Sequence, residues 1–300
     1  MIKTNNNAKD EEITIIDPFP NYENLKDKDK DKIDASQYIL ELEVLYSSFL
    51  PFGTKIIIDQ YGLKEGSLRN KKDNITYFGY NENNDDKNED NSIDYILPLK
   101  HCQNIGRFFK IQYLPKLNQF IIKDLGNGLG TFIKIKDLIY IRNKSMINIG
   151  DSYLTLNFVD STEDINKKNS KENNDNNNIN GIGKKLKIKL FENKSNDTKE
   201  FIFENNIERT IHIGRKNHGN EIEINDNLSS KVNCIIHYND KKGWSIKDGN
   251  EVILKNGDIK RNYSKNGTWF LAYENIKIID TLVIKSNFNI FICNYRKINT

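Results

Sequence analysis

Three cysteines among 300 residues are too few and too scattered for a disulfide scaffold or for a zinc site built on cysteine thiolates. No run of the sequence approaches the length of about 18 apolar residues that a membrane-spanning helix needs, so no membrane insertion is expected. The first ten residues, MIKTNNNAKD, contain no apolar stretch, and no secretory signal is visible there. These absences predict a soluble protein of a reducing intracellular compartment, either the nucleus or the cytoplasm.

Asparagine, lysine and aspartate are concentrated in low-complexity segments that cannot bury a core. Residues 1–34 end in KDKDKDKID and predict a disordered N-terminal tail. Residues 160–184 contain KKNSKENNDNNNINGIG, which is typical of a flexible Asn/Lys-rich linker. The shorter tract 81–91 is interpreted as a loop insertion. Two patterned blocks remain, 52–159 and 185–297, and each is expected to form one domain.

Both blocks place apolar residues at every second position, as strands with one buried face do. The pattern is clearest in FFKIQY (108–113), SYLTLNF (152–158) and KLKIKLF (185–191). The strands are short and are separated by turns of Gly, Asn and Asp, which predicts an all-β fold made of two antiparallel β-sandwiches. The only helix candidate is the segment 35–50, with Asp34 as its possible cap.

Short motifs in the second block place basic and polar residues in the loops between strands. They are Gly-Arg, Ser-Lys-x-Asn and Asn-Gly-Thr, and they contribute Gly214, Arg215, Ser230, Lys231, Asn233, Asn266, Gly267 and Thr268. Loops that follow alternate strands of an antiparallel sandwich gather at one end, so these residues can converge. A guanidinium, an ammonium, a hydroxyl and an amide together suit a phosphoryl dianion, and binding one needs no general base. The excess of Lys and Arg in this block either attracts such anions or only keeps the domain soluble.

The order of these motifs resembles that of the forkhead-associated (FHA) domain family, over residues 185–297. The resemblance implies a many-stranded β-sandwich that binds phosphothreonine peptides through the loops at one end. It assigns Arg215 to the peptide and its loop, Ser230 and Lys231 to the phosphate, and Asn266 to the peptide main chain. By the same resemblance, Gly214, Gly267 and Thr268 support the geometry of the turns.

Two features depart from the family pattern. Asn233 stands where the family has a histidine that props the binding loop, so whether the site is competent stays open. The stretch 249–263 is longer than usual and is interpreted as an inserted hairpin. Its Lys260-Arg261 pair is close in sequence to Ser264 and could contact an acidic flank of a ligand.

The first block shows a weaker resemblance to the same family, without the phosphate donors. Gly79-Tyr80 stands where Gly-Arg is expected, Ile105-Gly106 where a Ser and an Arg belong, and Leu129-Gly130-Thr131 where Asn-Gly-Thr belongs. Because none of these side chains can pair with a dianion, the first block is expected to be a degenerate FHA-like sandwich. Arg69 is a candidate for a displaced phosphate ligand in this block, but this interpretation is weaker than that of a block without a phosphate site.

The glycine-rich stretch 126–130 resembles a dinucleotide fingerprint, but TFIKI follows it, and a nucleotide site requires a helix there. No catalytic motif, metal-ligand spacing or cofactor site is predicted, so the protein is not expected to be an enzyme. The expected function is phosphothreonine-dependent binding of a partner protein, as a signalling adaptor. The alternatives are a scaffold that binds without phosphate and, less favoured, a nucleic-acid-binding β-domain, which lacks interleaved aromatic residues.

Overall fold

The computed structural model describes residues 37–69, 71–81, 92–98, 105–160, 180–193, 198–205 and 208–298. In these ranges the regular structure is β, apart from one 3-10 turn at Pro115–Leu117. The all-β prediction is therefore confirmed. The predicted tail 1–34, most of the predicted linker and most of the tract 81–91 lie outside the described residues.

In the described residues, eleven strands lie in the first block and in the segment directly before it, which forms β1. They are β1 Gln37–Ser47, β2 Lys55–Asp59, β3 Gly62–Leu63, β4 Ile75–Tyr80, β5 Tyr95–Ile96, β6 Gly106–Leu114, β7 Gln119–Asp124, β8 Thr131–Lys134, β9 Ile139–Tyr140, β10 Ser145–Ile149 and β11 Ser152–Val159. The helix predicted over 35–50 is wrong, because this segment forms β1. Its residues Leu40, Leu42 and Val44 are fully buried, and this spacing of two is that of a strand.

The described part of the second block contains twelve strands. They are β12 Lys185–Phe191, β13 Thr198–Phe203, β14 Arg209–Arg215, β15 Ile222–Ile224, β16 Cys234–Asn239, β17 Gly243–Asp248, β18 Asn250–Ile253, β19 Ile259–Asn262, β20 Trp269–Leu271, β21 Ile276–Ile278, β22 Thr281–Ser286 and β23 Asn289–Ile298. The predicted inserted hairpin is present, because β18 and β19 pair antiparallel as a separate two-stranded sheet.

The larger sheets contain strands from both blocks. The longest has eleven strands in the order β13-β12-β11-β10-β20-β8-β22-β23-β1-β2-β3. Two five-stranded sheets have the orders β15-β14-β16-β17-β9 and β21-β7-β6-β4-β5. The sheets therefore do not divide at the boundaries expected for two consecutive domains.

The blocks exchange their last three strands. From the first block, β9 pairs with β17, β10 pairs with β20, and β11 pairs with β12. From the second block, β21 pairs with β7, β22 pairs with β8, and β23 pairs with β1. Each β-sandwich is consequently completed by the other block, and β8 pairs with β20 where the two halves of the long sheet meet.

A single cluster of buried apolar side chains runs through both sandwiches. Across the exchanged pairs, Leu42 of β1 lies opposite Cys293 of β23, and Leu156 of β11 lies opposite Ile188 of β12, with all four side chains fully buried. Burial of one such aliphatic side chain contributes about 1.5–3 kcal/mol. The exchanged strands are therefore a large part of the stability of both sandwiches.

Lys285 and Asn148 meet where the two halves of the long sheet join. The Lys285 ammonium donates a hydrogen bond to Asn148 Oδ1 and lies 4.9 Å from the ring centre of Trp269 and 5.4 Å from that of Phe132. Burial lowers the pKa of Lys285 to about 8, and the carboxylate of Asp151 acts in the opposite direction. The charged form of Lys285 is therefore less favoured in the folded protein than in the unfolded chain.

This lysine predicts a pH dependence of stability that Lys285→Met removes. Since the folded-state pKa is below the unfolded value of 10.5, the protonated ammonium costs stability at low pH, and that cost disappears as pH rises. The free energy of unfolding of the wild type, relative to Lys285→Met, is expected to rise by about 2 kcal/mol between about pH 8 and pH 10. Urea denaturation of both proteins across this range measures it, and parallel curves would contradict it.

Candidate functional site

The structure brings three of the predicted site residues to one end of a sandwich. Arg215 is the last residue of β14, Ser230 lies in the loop between β15 and β16, and Asn266 lies in the loop that leads into β20. The backbone N–H of Arg215 donates to Ser230 O at 2.9 Å. Asn266 Nδ2 donates to the carbonyl of Leu228 in the same loop as Ser230, at 2.7 Å. These hydrogen bonds fix the two loops and the end of β14 against one another.

The side chain of Arg215 is held by its inner nitrogen. Nε of Arg215 donates to Ser229 O at 2.9 Å. The backbone carbonyl of Arg215 accepts a hydrogen bond from Asn220 Nδ2, and the same Nδ2 also donates to Lys231 O. Among the described residues, neither Nη atom of Arg215 has a hydrogen bond or an ion pair. The guanidinium is thus oriented while its outer N–H groups remain available to a ligand.

Ser230 and Lys231 provide further donors. Ser230 Oγ accepts a hydrogen bond from the backbone N–H of Lys265 at 2.9 Å, which leaves its own hydroxyl proton to donate. The side chains of Lys231 and Lys265 are exposed, and neither makes an ion pair in the described part of the chain. This end of the sandwich therefore carries several cationic groups without carboxylate partners.

The buried side chain of Asn233 supports the loops of this site through hydrogen bonds. It is 1% exposed, its Oδ1 accepts from the backbone N–H of Ser230 at 3.1 Å, and its Nδ2 donates to Thr268 Oγ1 at 2.9 Å. Thr268 is fully buried and donates in turn to the Asp248 carboxylate at 2.7 Å. Asn233 thus connects the two loops that carry Ser230 and Asn266, although its side chain is shorter than histidine.

Replacement of Asn233 by alanine is expected to destabilise the fold. The change leaves the N–H of Ser230 and the hydroxyl of Thr268 without this partner in a buried position, which costs about 1–3 kcal/mol. Urea denaturation of Asn233→Ala measures the loss. Asn294→Ala, which removes an exposed hydrogen bond to Thr281, is the control and is expected to change stability by less than about 0.5 kcal/mol. Equal stability of the two variants would contradict the bracing role.

Two glycines are required by close approaches of neighbouring chain segments. A Cβ on Gly214 would lie 2.2 Å from Lys231 O, so only glycine lets β14 pass the loop that carries Ser230 and Lys231. Gly267 has φ +83°, and a Cβ there would lie 2.5 Å from Cε of Lys134. Lys134 belongs to the first block, so a residue of that block lies against the turn that presents Asn266.

The first block also supports the loop that carries Ser230. Asp226 in that loop is 8% exposed, and its Oδ2 accepts a hydrogen bond from the backbone N–H of Asp151 at 2.7 Å. Its Oδ1 accepts from the N–H of Leu228 at 2.8 Å. Sequence reasoning missed both aspartates. The Asp226-x-Leu228 turn has a local signal, but the contact with Asp151 exists only because β10 and β11 are exchanged.

The corresponding end of the other sandwich has a similar backbone and different side chains. A Cβ on Gly79 would lie 2.2 Å from Gly106 O, as on Gly214, but Tyr80 follows instead of an arginine. Leu129 is 51% exposed, and its N–H donates to Asn287 Oδ1.

Arg69 is committed to internal ion pairs. Its side chain is 7% exposed and bonds Asp73 at 2.7 Å and Asp94 at 3.0 Å, with a further hydrogen bond to Ile75 O. These contacts use its guanidinium nitrogens, so Arg69 is not available as a displaced phosphate ligand.

The glycine-rich stretch, the cysteines and the metal-ligand types considered in the sequence form no ligand site in the described residues. The glycine-rich stretch 126–130 leads into β8, which is a strand. Cys234 and Cys293 are buried free thiols whose pKa values burial raises, and Cys102 lies outside the described residues. The described ranges contain no cluster of three or more His, Cys, Asp or Glu side chains that could bind a metal. Within them, too, there is no helix with the length and apolar character to cross a bilayer.

Comparison of the chain with protein-family models, with curated proteins and with solved structures finds no significant match.

Proposed function

We propose that the protein is a phosphothreonine-dependent protein-binding module of the FHA type, which uses the end of the sandwich that carries Arg215, Ser230, Lys231 and Asn266. The observation that carries the proposal is the hydrogen-bonded convergence of Arg215, Ser230 and Asn266, with donors left over. Binding by such donors requires no catalytic group, and the proposed role is that of a signalling adaptor without enzymatic activity, in the nucleus or the cytoplasm.

The donor set favours a dianion over a neutral ligand. The outer N–H groups of Arg215 and the ammonium groups of Lys231 and Lys265 lack carboxylate partners among the described residues. Asp226 and Asp248, two buried acidic side chains near these donors, already accept hydrogen bonds from neighbouring loops. A phosphoryl group supplies the charge and the acceptor oxygens that these free donors require.

A phosphate-independent scaffold is the second candidate function. The observation that favours it is the other sandwich end, where Tyr80 and the exposed Leu129 replace donors. That end offers a partner the exposed Leu129 and main-chain groups in place of the phosphate donors of the other end. If this function dominates, association with the partner protein is insensitive to phosphatase treatment.

Titration of the full chain with peptide libraries tests the proposal. The expected result is binding of a phosphothreonine library, measured by fluorescence anisotropy, with weaker binding of the phosphoserine library and none of the unphosphorylated one. Equal affinity for phosphorylated and plain peptides would refute it. A salt-sensitive gel shift with DNA or RNA, together with no phosphopeptide binding, would favour the nucleic-acid alternative instead.

A further inference from the structure

A pocket lies beside the turn that presents Asn266, and both blocks contribute to it. It has a volume of about 300 Å³ and is lined by Lys134, Ile135 and Lys136, by Tyr263, and by Leu282 and Val283. The three residues 134–136 lie at the end of β8, Tyr263 follows the inserted hairpin, and residues 282–283 lie near the start of β22. We name this cavity the junction pocket.

The junction pocket lies beside the turn that carries Asn266 in the proposed phosphopeptide site. The stem of Lys134 lies against Gly267, the residue after Asn266. Asp248, which also lines the pocket, bonds Ser264 and Thr268 on either side of that turn. A peptide whose main chain is held by Asn266 therefore leaves the site next to this pocket. An extended peptide advances about 3.3 Å per residue, so a residue only a few positions from the phosphothreonine can enter it.

The walls of the junction pocket are apolar and its rim is basic. Ile135 is 1% exposed, Leu282 and Val283 are half-buried, and Tyr263 is 58% exposed, with the Arg261 guanidinium 4.8 Å from the centre of its ring. The Asp248 carboxylate accepts hydrogen bonds from Ser264 N, Ser264 Oγ and Thr268 Oγ1, so it offers little to a ligand.

The rim carries two cations that are free to meet a ligand. Lys134 and Lys136 have no carboxylate partner in the part of the chain that the structure describes. A lysine ammonium in this position attracts a carboxylate on whatever enters the pocket. The volume is at the low end for a ligand site and suits one side chain rather than a separate cofactor.

We propose that the junction pocket binds one large aliphatic side chain of the phosphopeptide, with an acidic neighbour of that residue facing Lys134 and Lys136. This inference rests on the proposed phosphothreonine-binding function. It adds a selectivity that neither block provides alone, because β8 of the first block pairs with both β20 and β22 of the second block. The ligand sequence that the protein selects is thus an acidic and aliphatic stretch beside phosphothreonine.

Peptide arrays with the full chain test the inference. The array carries a phosphothreonine peptide in which each flanking position is in turn alanine, leucine or glutamate. The expected result is one flanking position at which leucine binds roughly tenfold more tightly than alanine. Tyr263→Ala is expected to remove this preference while the alanine peptide keeps its affinity, and Tyr61→Ala, at another exposed tyrosine, is the matched control.

Charge reversal tests the basic rim in the same array. Lys136→Glu is expected to abolish selection of an adjacent glutamate, and Lys255→Glu at the tip of the inserted hairpin is the control that leaves it intact. If binding depends on phosphate but leucine and alanine bind equally, or if Tyr263→Ala keeps the preference, the inference fails and the proposed function stands. If Arg215→Ala leaves phosphopeptide binding unchanged, both fail.

Discussion

Residues 180–298 produced alone are expected not to form a folded monomer, whereas the same fragment produced together with residues 37–160 is expected to form one stable complex. Alone, the fragment lacks β9, β10 and β11, which complete its sheets. Leu154 and Leu156 of β11 are fully buried, and the burial of each such side chain contributes about 1.5–3 kcal/mol that the fragment loses. Domain stabilities of about 5–15 kcal/mol do not survive the loss of three strands.

Circular dichroism, amide proton dispersion and size-exclusion chromatography distinguish the outcomes. A chain with a protease site introduced into residues 161–179 is the control, because after cleavage the two halves are expected to stay associated and to unfold together. A self-associated form of the isolated fragment agrees with the strand exchange, since β21, β22 and β23 of a second copy can then stand in for the missing strands. A well-dispersed spectrum from a monomeric fragment would contradict it.

Arg215→Ala is expected to weaken binding of a phosphothreonine peptide by roughly ten- to a hundredfold. The guanidinium would make charge-assisted hydrogen bonds to the ligand, and each is worth about 1.5–3 kcal/mol. The variant is expected to keep its fold, because the Arg215 side chain makes one hydrogen bond within the described residues, from Nε to Ser229 O. Isothermal titration calorimetry on the full chain measures the affinity.

Arg209→Ala is the matched control for this variant. Arg209 begins the same strand, β14, at its opposite end, and its guanidinium lies over the ring of Phe203. The two variants remove the same charge from the same strand. If both lose affinity equally, the net charge of the protein and not the geometry of the site controls binding.

The individual strands were predictable because alternation is a local signal. In KLKIKLF, the residues Leu186, Ile188 and Leu190 are fully buried as the pattern requires. In β1 the same alternation is present, but the run of helix-favouring Glu and Leu residues in LELEVL obscured it. Tertiary pairing with β2 and β23 decides in favour of the strand.

The strand exchange was not predictable from such patterns. Alternation states which face of a strand is buried, but not which of two similar hairpins covers it. In this protein β10–β11 and β22–β23 both carry apolar side chains at alternate positions, so either hairpin could close either sandwich. The short connections 135–138 and 272–275 follow the paired strands β8 and β20, and after them each block continues into the other sandwich.

The candidate site was predictable where it depends on one block. Arg215, Ser230 and Asn266 converge through loops of the second block, and the order of their motifs pointed to them. The support from Asp151 and Lys134 was not predictable, because both belong to strands of the first block that the exchange brings there.

The pairing of β1 with β23 has a consequence for biosynthesis. Ser47 and Asn289, which bond each other across this pair, are separated by 242 positions in the chain. A ribosome that has just translated β1 must translate all the strands from β2 to β22 before β23 exists. The protein therefore cannot complete its fold block by block as it emerges, and one edge of β1 stays unpaired until β23 has been translated.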